Sequence, residues 1–177
     1  MTIADSNQPK FPLDIFADVI SANKVFASDF QDNHLSGRAA KGLAIVTCMD
    51  SRISPLAMLG LQSGDVKILR NAGARVTDDV LRTLVLATWL LNVDRVLVIP
   101  HTDCKMASGS EAAVHKAILD ESGIDTRGIE IRTVANQPEA LAIDVQRIRS
   151  YPLLPKNLQV AGAIYDVHTG LLNPADC

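Results

Sequence analysis

The feature that most constrains this chain is the alternation of short apolar segments with segments of helical character from Leu43 onward. The apolar segments have the length of buried strands, and turn residues bound them. Between two of them, Thr77 is placed as an N-cap before the acidic first turn of a helix. Because strands that alternate with helices form parallel sheets, the pattern predicts an α/β fold with a parallel central β-sheet flanked by helices. The predicted strands are "LAIVT", "VKILR", "RVLVIP", "IEIRTV" and "LQVAGAIYDV".

The two ends of the chain depart from this alternation. Apolar residues recur at helical spacing from Ile15 to Phe30, which predicts an amphipathic helix, and "HLSGRAAKG" then forms a connector. We expect residues 1–36 to form an N-terminal helical arm and residues 37–177 to form a single α/β domain. After the last predicted strand, "HTG" is a turn signal, so the chain should end in an antiparallel edge strand.

Composition excludes several classes of partner. The formal charge of the 177 residues is only -3, and no basic stripe is present, which argues against nucleic acid. The longest apolar run, "LVLATWLL", is too short to span a bilayer, and the first thirty residues lack the pattern of a signal peptide. Three cysteines do not make a disulfide framework, so we expect a cytoplasmic protein whose thiols serve a metal or chemistry.

Cys48 directly follows the first predicted strand, in the segment "TCMDSR". A cysteine at the end of an apolar run is often only a small buried hydrophobic residue. A phosphatase-type loop would need an arginine six residues later, where this chain has Ser54, and no CxxC redox pair is present. A chemical role for Cys48 therefore depends on which side chains at the ends of other strands lie next to it.

His101 and Cys104 follow the third predicted strand with H-x-x-C spacing. Ligands bind outside the carboxyl ends of parallel strands, so these side chains should emerge at the same edge of the sheet as Cys48. By itself the spacing also suits a loop histidine beside a packed cysteine. Together, two thiolates and an imidazole are a set that zinc favours, and three protein ligands leave a fourth position for water.

Asp50 and Arg52 lie within four residues of Cys48. As a surface ion pair they would contribute only ~0–1 kcal/mol to stability. An arginine fork can instead hold a carboxylate in one orientation by paired hydrogen bonds. The carboxylate could then accept a hydrogen bond from water on the metal without becoming a ligand itself.

Taken together, these motifs resemble the β-class carbonic anhydrases. "CMDSR" is similar to that family's C-x-D-x-R segment, "RNAG" to its substrate-pocket turn, "HTDC" to its second ligand pair and "GAIYDVHTG" to its closing hairpin. The resemblance covers roughly residues 42–170, and the ordered set of four motifs is more specific than any one of them.

The resemblance implies a role for each matching residue. Cys48, His101 and Cys104 would bind one Zn²⁺ per chain. Asp50 and Arg52 would form the catalytic dyad. Gly73 would line the substrate pocket, where the lack of a side chain lets a small molecule approach the backbone.

By the same resemblance, the expected activity is that of a zinc lyase: reversible hydration of carbon dioxide to bicarbonate and a proton by zinc-bound hydroxide that the Asp50–Arg52 dyad orients. Two thiolates offset the charge of zinc, so its water should be less acidic than on an all-histidine site and activity should favour alkaline pH. Two alternatives stay open: hydrolysis of carbonyl sulfide or carbon disulfide on the same scaffold, and a non-catalytic structural zinc module closed by Asp50.

The family's oligomers and one departure from its motif complete these expectations. The resemblance implies a homodimer, sometimes paired into a homotetramer, with the N-terminal arm reaching across the partner. The family usually has glycine after its second ligand cysteine, where this chain has Lys105. If the backbone there needs a positive φ, lysine would be strained; otherwise its side chain simply faces solvent.

Overall fold

A computed structural model describes residues 11–177, which fall into two compact units, 11–35 and 36–177. Residues 1–10 of the predicted N-terminal arm lie outside the described residues. The first unit contains helix α1, which matches the helix predicted from apolar spacing. The second contains five strands and four helices among the described residues. In chain order the elements are α1 (Ala17–Ser28), β1 (Leu43–Cys48), α2 (Pro55–Met58), β2 (Val66–Asn71), α3 (Asp78–Leu90), β3 (Arg95–Ile99), α4 (Glu111–Ser122), α5 (Gln137–Arg149), β4 (Gln159–Tyr165) and β5 (Leu172–Ala175).

The strands form one five-stranded sheet in the order β2-β1-β3-β4-β5. All neighbours are parallel except β4 and β5, which pair antiparallel. The hairpin between them closes at Gly170, which has a φ of 75° and donates its backbone N–H to the carbonyl oxygen of Asp166. The predicted α/β fold with an antiparallel edge strand is therefore confirmed.

Helix α3 begins where the sequence predicted. The Thr77 side chain accepts a hydrogen bond from the backbone N–H of Val80, and Asp78 and Asp79 occupy the first turn. Carboxylates there interact favourably with the positive end of the helix dipole. No helix within residues 11–177 is both long and apolar enough to cross a membrane.

The predicted strand "IEIRTV" at residues 129–134 is wrong. This segment is irregular, and Arg132 has a φ of 63°, which an extended strand does not allow. The backbone N–H groups of Ile131 and Arg132 donate to the carboxylate of Glu111 on α4, at 2.8 and 3.2 Å. A side chain thus takes the donors that a neighbouring strand would have used.

The hydrophobic core lies between the sheet and helices α3 and α5. Val46 and Val98 come from neighbouring central strands, and Leu84 and Val145 come from the two helices; each is at most 1% exposed. Burial on this scale is the main force that keeps the strands in register. It therefore holds the loops at the carboxyl ends of β1 and β3 side by side.

Candidate metal centre and its carboxylate

Three potential metal ligands meet at the carboxyl edge of the sheet, as predicted. Cys48 is the last residue of β1, and His101 follows β3 and bridges to Tyr165 at the end of β4. Their ligand atoms and that of Cys104 all lie within 4.8 Å of one another, and the two sulfurs are 3.9 Å apart. All three side chains are buried.

The two ring nitrogens of His101 differ in their hydrogen bonding. Nδ1 lies 2.8 Å from the carbonyl oxygen of Thr102, and because a carbonyl only accepts, Nδ1 carries the proton. Nε2 is buried and, among the described residues, finds no hydrogen-bond partner. The Gln137 side chain donates to the carbonyl oxygen of His101 at 2.7 Å and steadies the residue. An unpaired buried nitrogen beside two thiols costs free energy that a divalent cation would offset.

Burial makes the thiol of Cys104 harder to ionise. Burial raises the pKa of the Cys104 thiol; the Met106 backbone opposes this rise, and the neighbouring Cys48 adds to it. The backbone N–H of Gly73 points to the sulfur of Cys48 at 3.4 Å. A bound Zn²⁺ would stabilise both thiolates at once, so the donor set fits zinc.

Asp50 lies beside this cluster and is held by Arg52. Its Oδ1 accepts from the backbone N–H and Nε of Arg52 at 2.9 and 3.0 Å, and its Oδ2 accepts from Nη2 at 2.8 Å. These hydrogen bonds hold the pKa of Asp50 well below its usual range, against a smaller effect of burial. Oδ2 also lies 3.8 Å from Nε2 of His101. The structure therefore brings an ionised carboxylate to the border of the cluster.

Two further residues, Arg70 and Asp103, hold this region, and neither role is predicted from the sequence. Arg70 donates through Nε to the carbonyl oxygen of Cys48 at 2.9 Å and through Nη2 to that of Asp50 at 2.7 Å. Asp103 accepts from Nη1 of Arg52 at 2.7 Å. The sequence does contain one sign of a role for Asp103, because it is a charged residue between two candidate metal ligands.

Lys105 is not strained. It is exposed and begins a 3₁₀ turn, Lys105–Ala107, so its backbone is right-handed. The positive φ in this loop falls instead on Asp103, at 54°. Aspartate tolerates that conformation better than most residues, so the loop does not require glycine after Cys104.

A side chain at Gly73 would crowd Met106. The φ of Gly73 is 79°, and a Cβ atom there would lie 3.1 Å from Cβ and 3.2 Å from Cγ of Met106. The backbone N–H of Gly73 points to the sulfur of Cys48. The glycine thus meets both a conformational and a steric requirement.

We predict that Cys104→Ser loses zinc whereas Cys177→Ser keeps it. Cys177 is an exposed thiol and serves as the matched control. A hydroxyl does not replace the charge of a thiolate, so zinc affinity should fall by more than about 100-fold, the upper end of what losing an outer-shell partner costs. Metal analysis after dialysis against a weak chelator measures this. Equal zinc in the two variants would contradict Cys104 as a ligand.

We also predict that Gly73→Ala destabilises the chain more than Gly60→Ala does. Both glycines have a positive φ, 79° and 62°, but no atom lies within 4 Å of a Cβ built at Gly60. Both variants should lose about 1–2 kcal/mol for the left-handed backbone. Gly73→Ala should lose roughly 1–3 kcal/mol more through the contact with Met106. Urea unfolding compares them, and equal losses would show that Met106 yields without cost.

Comparisons with known proteins agree with the geometry. The family model described as carbonic anhydrase matches residues 43–172. Beta-carbonic anhydrase 1 of Mycobacterium tuberculosis is 35% identical over 156 residues, covering 88% of this chain and 94% of the relative. Carbon disulfide hydrolase of Acidithiobacillus thiooxidans is 30% identical over 152 residues, covering 75% and 76%.

A solved structure agrees as well. The crystal structure of carbonic anhydrase from Streptococcus mutans aligns with a TM-score of 0.86 and 33% identity, covering 95% of this chain and 100% of that one. The match therefore extends over nearly the whole of both chains. This chain belongs to the β-class carbonic anhydrase family.

Proposed function

We propose that this protein catalyses the reversible hydration of carbon dioxide to bicarbonate and a proton. Cys48, His101 and Cys104 would hold one Zn²⁺ per chain, and Asp50 and Arg52 would be the catalytic dyad. One observation carries the proposal: Arg52 holds the Asp50 carboxylate 3.8 Å from the unpaired Nε2 of His101. A metal bound by Nε2 would have an oriented acceptor at its side.

Zinc in this site would act as a Lewis acid and lower the pKa of a water at the open fourth position. Hydrogen bonds behind the ligands also shape the site. Hydrogen bonds from His101 Nδ1 to Thr102 and from Gly73 to the Cys48 sulfur orient two of the three donors. Such partners behind the ligands commonly affect metal affinity and activity.

Asp50 would orient the nucleophile. Both oxygens of its carboxylate already accept from Arg52, and Oδ2 is the oxygen that faces the ligand cluster. A hydrogen bond to Oδ2 would turn the remaining lone pair of a nucleophilic water toward the carbon of carbon dioxide. Because Arg52 holds the pKa of Asp50 low, Asp50 stays an acceptor at neutral pH and does not store the released proton.

Gly73 would line the substrate pocket. Its residue position is buried, and its backbone lies 3.4 Å from the sulfur of Cys48. A small linear substrate needs close access to the ligand cluster but few polar contacts. The missing side chain leaves this access open. A Cβ atom at Gly73 would instead fill space beside Met106.

A second candidate is hydrolysis of carbon disulfide or carbonyl sulfide. The similarity to the carbon disulfide hydrolase of Acidithiobacillus thiooxidans favours it. The chemistry at the metal would be shared, so only pocket shape and access would separate the substrates. A structural zinc module is disfavoured, because it would need Asp50 as a fourth ligand while Arg52 engages both of that residue's oxygens.

We predict that Asp50→Asn lowers carbon dioxide hydration by about 100-fold or more while zinc stays bound. Asn keeps the size of the side chain but loses the ion pair, and with its one oxygen on Arg52 an NH2 group, which cannot accept, would replace Oδ2 beside the cluster. Stopped-flow hydration across pH, with zinc measured in the same preparation, tests this, and wild-type activity should rise toward alkaline pH.

Asp125→Asn is the matched control for this experiment. Asp125 pairs with Arg127 two residues later through the same set of backbone, Nε and Nη2 hydrogen bonds. It should leave hydration unchanged. Zinc-loaded wild type that releases sulfide from carbon disulfide but hydrates no carbon dioxide would favour the second candidate. Zinc-loaded protein inactive in both assays would favour a structural module.

We further propose that the protein forms a homodimer, with pairing to a homotetramer as a further step, and that residues 1–36 are the arm that joins the partners. Within its own unit, α1 buries no side chain, and its apolar residues include Val19 and Phe26, which are 58% and 63% exposed. An amphipathic helix with no buried face needs a partner surface.

Deletion of residues 1–36 should therefore yield monomers with lowered hydration activity. Light scattering coupled to size-exclusion chromatography measures the mass, and stopped-flow hydration measures activity. The full-length chain at the same concentration is the control. A stable and fully active dimer after truncation would overturn the arm proposal.

We also propose a cytoplasmic location. Cys48 and Cys104 must stay reduced to bind a metal, and their sulfurs lie only 3.9 Å apart. A reducing compartment preserves such thiols. Cell fractionation with thiol labelling of the denatured chain tests this proposal, and recovery from an oxidising compartment would contradict it.

A further inference from the structure

The guanidinium of Arg52 joins two different loops. Through Nε and Nη2 it donates to the carboxylate of Asp50, which belongs to its own loop after β1. Through Nη1 it donates to Oδ2 of Asp103 at 2.7 Å, and through Nη2 to the carbonyl oxygen of Asp103 at 3.0 Å. Asp103 belongs to the loop after β3, between His101 and Cys104. Four of the five N–H donors of Arg52 are therefore engaged, two toward each aspartate.

The Asp50–Arg52 pair cannot fix its own position relative to the other loop. The two residues are only two apart, so their hydrogen bonds make the loop after β1 internally rigid and nothing more. His101 and Cys104 lie on the loop after β3. The contact from Arg52 to Asp103, 51 residues away in sequence, links the loop after β1 to the loop after β3.

The Asp103 side is itself well fixed. Thr102 donates its backbone N–H to the carbonyl oxygen of Tyr165 at 2.9 Å, and its hydroxyl accepts from the backbone N–H of Val167 at 3.1 Å. Asp103 adopts a φ of 54°, a left-handed conformation that non-glycine residues rarely adopt. Aspartate tolerates this conformation better than most residues, so the backbone here suits an aspartate.

An ordinary surface ion pair would not have this geometry. The side chains of Arg52 and Asp103 are 43% and 63% exposed, and a single exposed pair contributes little to stability. Here one residue offers both its carboxylate and its backbone oxygen to the same guanidinium. Two contact points fix the plane of the guanidinium as well as its distance.

We propose that Asp103 is a positioning residue: it fixes Arg52, and through Arg52 the carboxylate of Asp50, relative to His101 and Cys104. The inference rests on the proposed function in one respect, since Asp50 must act in the reaction for its position to affect the rate. Asp103 itself does not touch the reacting atoms.

The first test observes Arg52 directly in the zinc-loaded protein. Nitrogen-15 NMR of the arginine side chains should show slow rotation of the Arg52 guanidinium, with separate Nη signals, because both ends are held. The signals are assigned by their loss in Arg52→Lys. Asp103→Ala should release Nη1 and average these signals, whereas Asp103→Asn, which keeps an oxygen acceptor, should retain much of the restriction. Unchanged signals in Asp103→Ala would overturn the proposal.

The second test measures the consequence for turnover. Asp103→Ala should lower kcat about tenfold, the effect expected from losing a hydrogen bond to a charged group. Zinc content should stay at the wild-type level, and KM should change by less than about twofold, because substrate binding is not affected. Asp103→Asn should recover most of the loss. Asp125→Ala, which breaks a comparable aspartate–arginine pair, should leave kcat unchanged.

The outcomes separate the two proposals. If wild-type protein hydrates no carbon dioxide, the proposed function fails, and the NMR experiment alone decides whether Asp103 positions Arg52. If wild type is active and Asp103→Ala is as active as Asp125→Ala, Asp103 has no positioning role. The positioning proposal would also be overturned if Asp103→Ala lost thermal stability and kcat in parallel and Asp103→Asn rescued neither. The contact would then be purely structural.

Discussion

The burial of two thiols and one unpaired imidazole nitrogen at a single sheet edge is the constraint on which the rest of this structure depends. Cys48, His101 and Cys104 bring their ligand atoms within 4.8 Å of one another, away from water. Such a cluster costs free energy unless a cation stabilises both thiolates and satisfies the nitrogen. The core between the sheet and helices α3 and α5 holds the strands together and so keeps the cluster assembled.

Guanidinium groups do most of the positioning around the cluster. Arg70 holds two carbonyl oxygens of the loop after β1, and Arg52 connects that loop to Asp103. Farther out, Arg75 donates to the buried carboxylate of Asp144 at 2.6 Å and ties the loop after β2 to α5. The planar fork of arginine suits this task, because one side chain fixes both direction and distance. These contacts connect the loops after β1, β2 and β3 to one another and to α5.

The sequence predicted the elements whose signals are local. Four of the five predicted apolar strands, the Thr77 cap and the turn after β4 are confirmed, because each depends on residues close together in the chain. The predicted strand at 129–134 failed for the opposite reason. Its apolar character was compatible with a strand, but Glu111 on α4 takes its backbone donors and Arg132 turns left-handed. Composition within a segment carries no information about a carboxylate twenty residues away.

The sequence by itself determined which chemical groups stand at the strand ends. Two cysteines, a histidine and an Asp-x-Arg pair after buried strands already indicated a zinc-type donor set with a held carboxylate. Only the tertiary structure decided how these groups meet. It left Nε2 of His101 without a hydrogen-bond partner within residues 11–177, assigned the left-handed conformation to Asp103 and not to Lys105, and brought Asp103 to Arg52. These outcomes depend on strand order and on the spacing between two loops, and both arise from packing of the whole sheet, which no short stretch of sequence encodes.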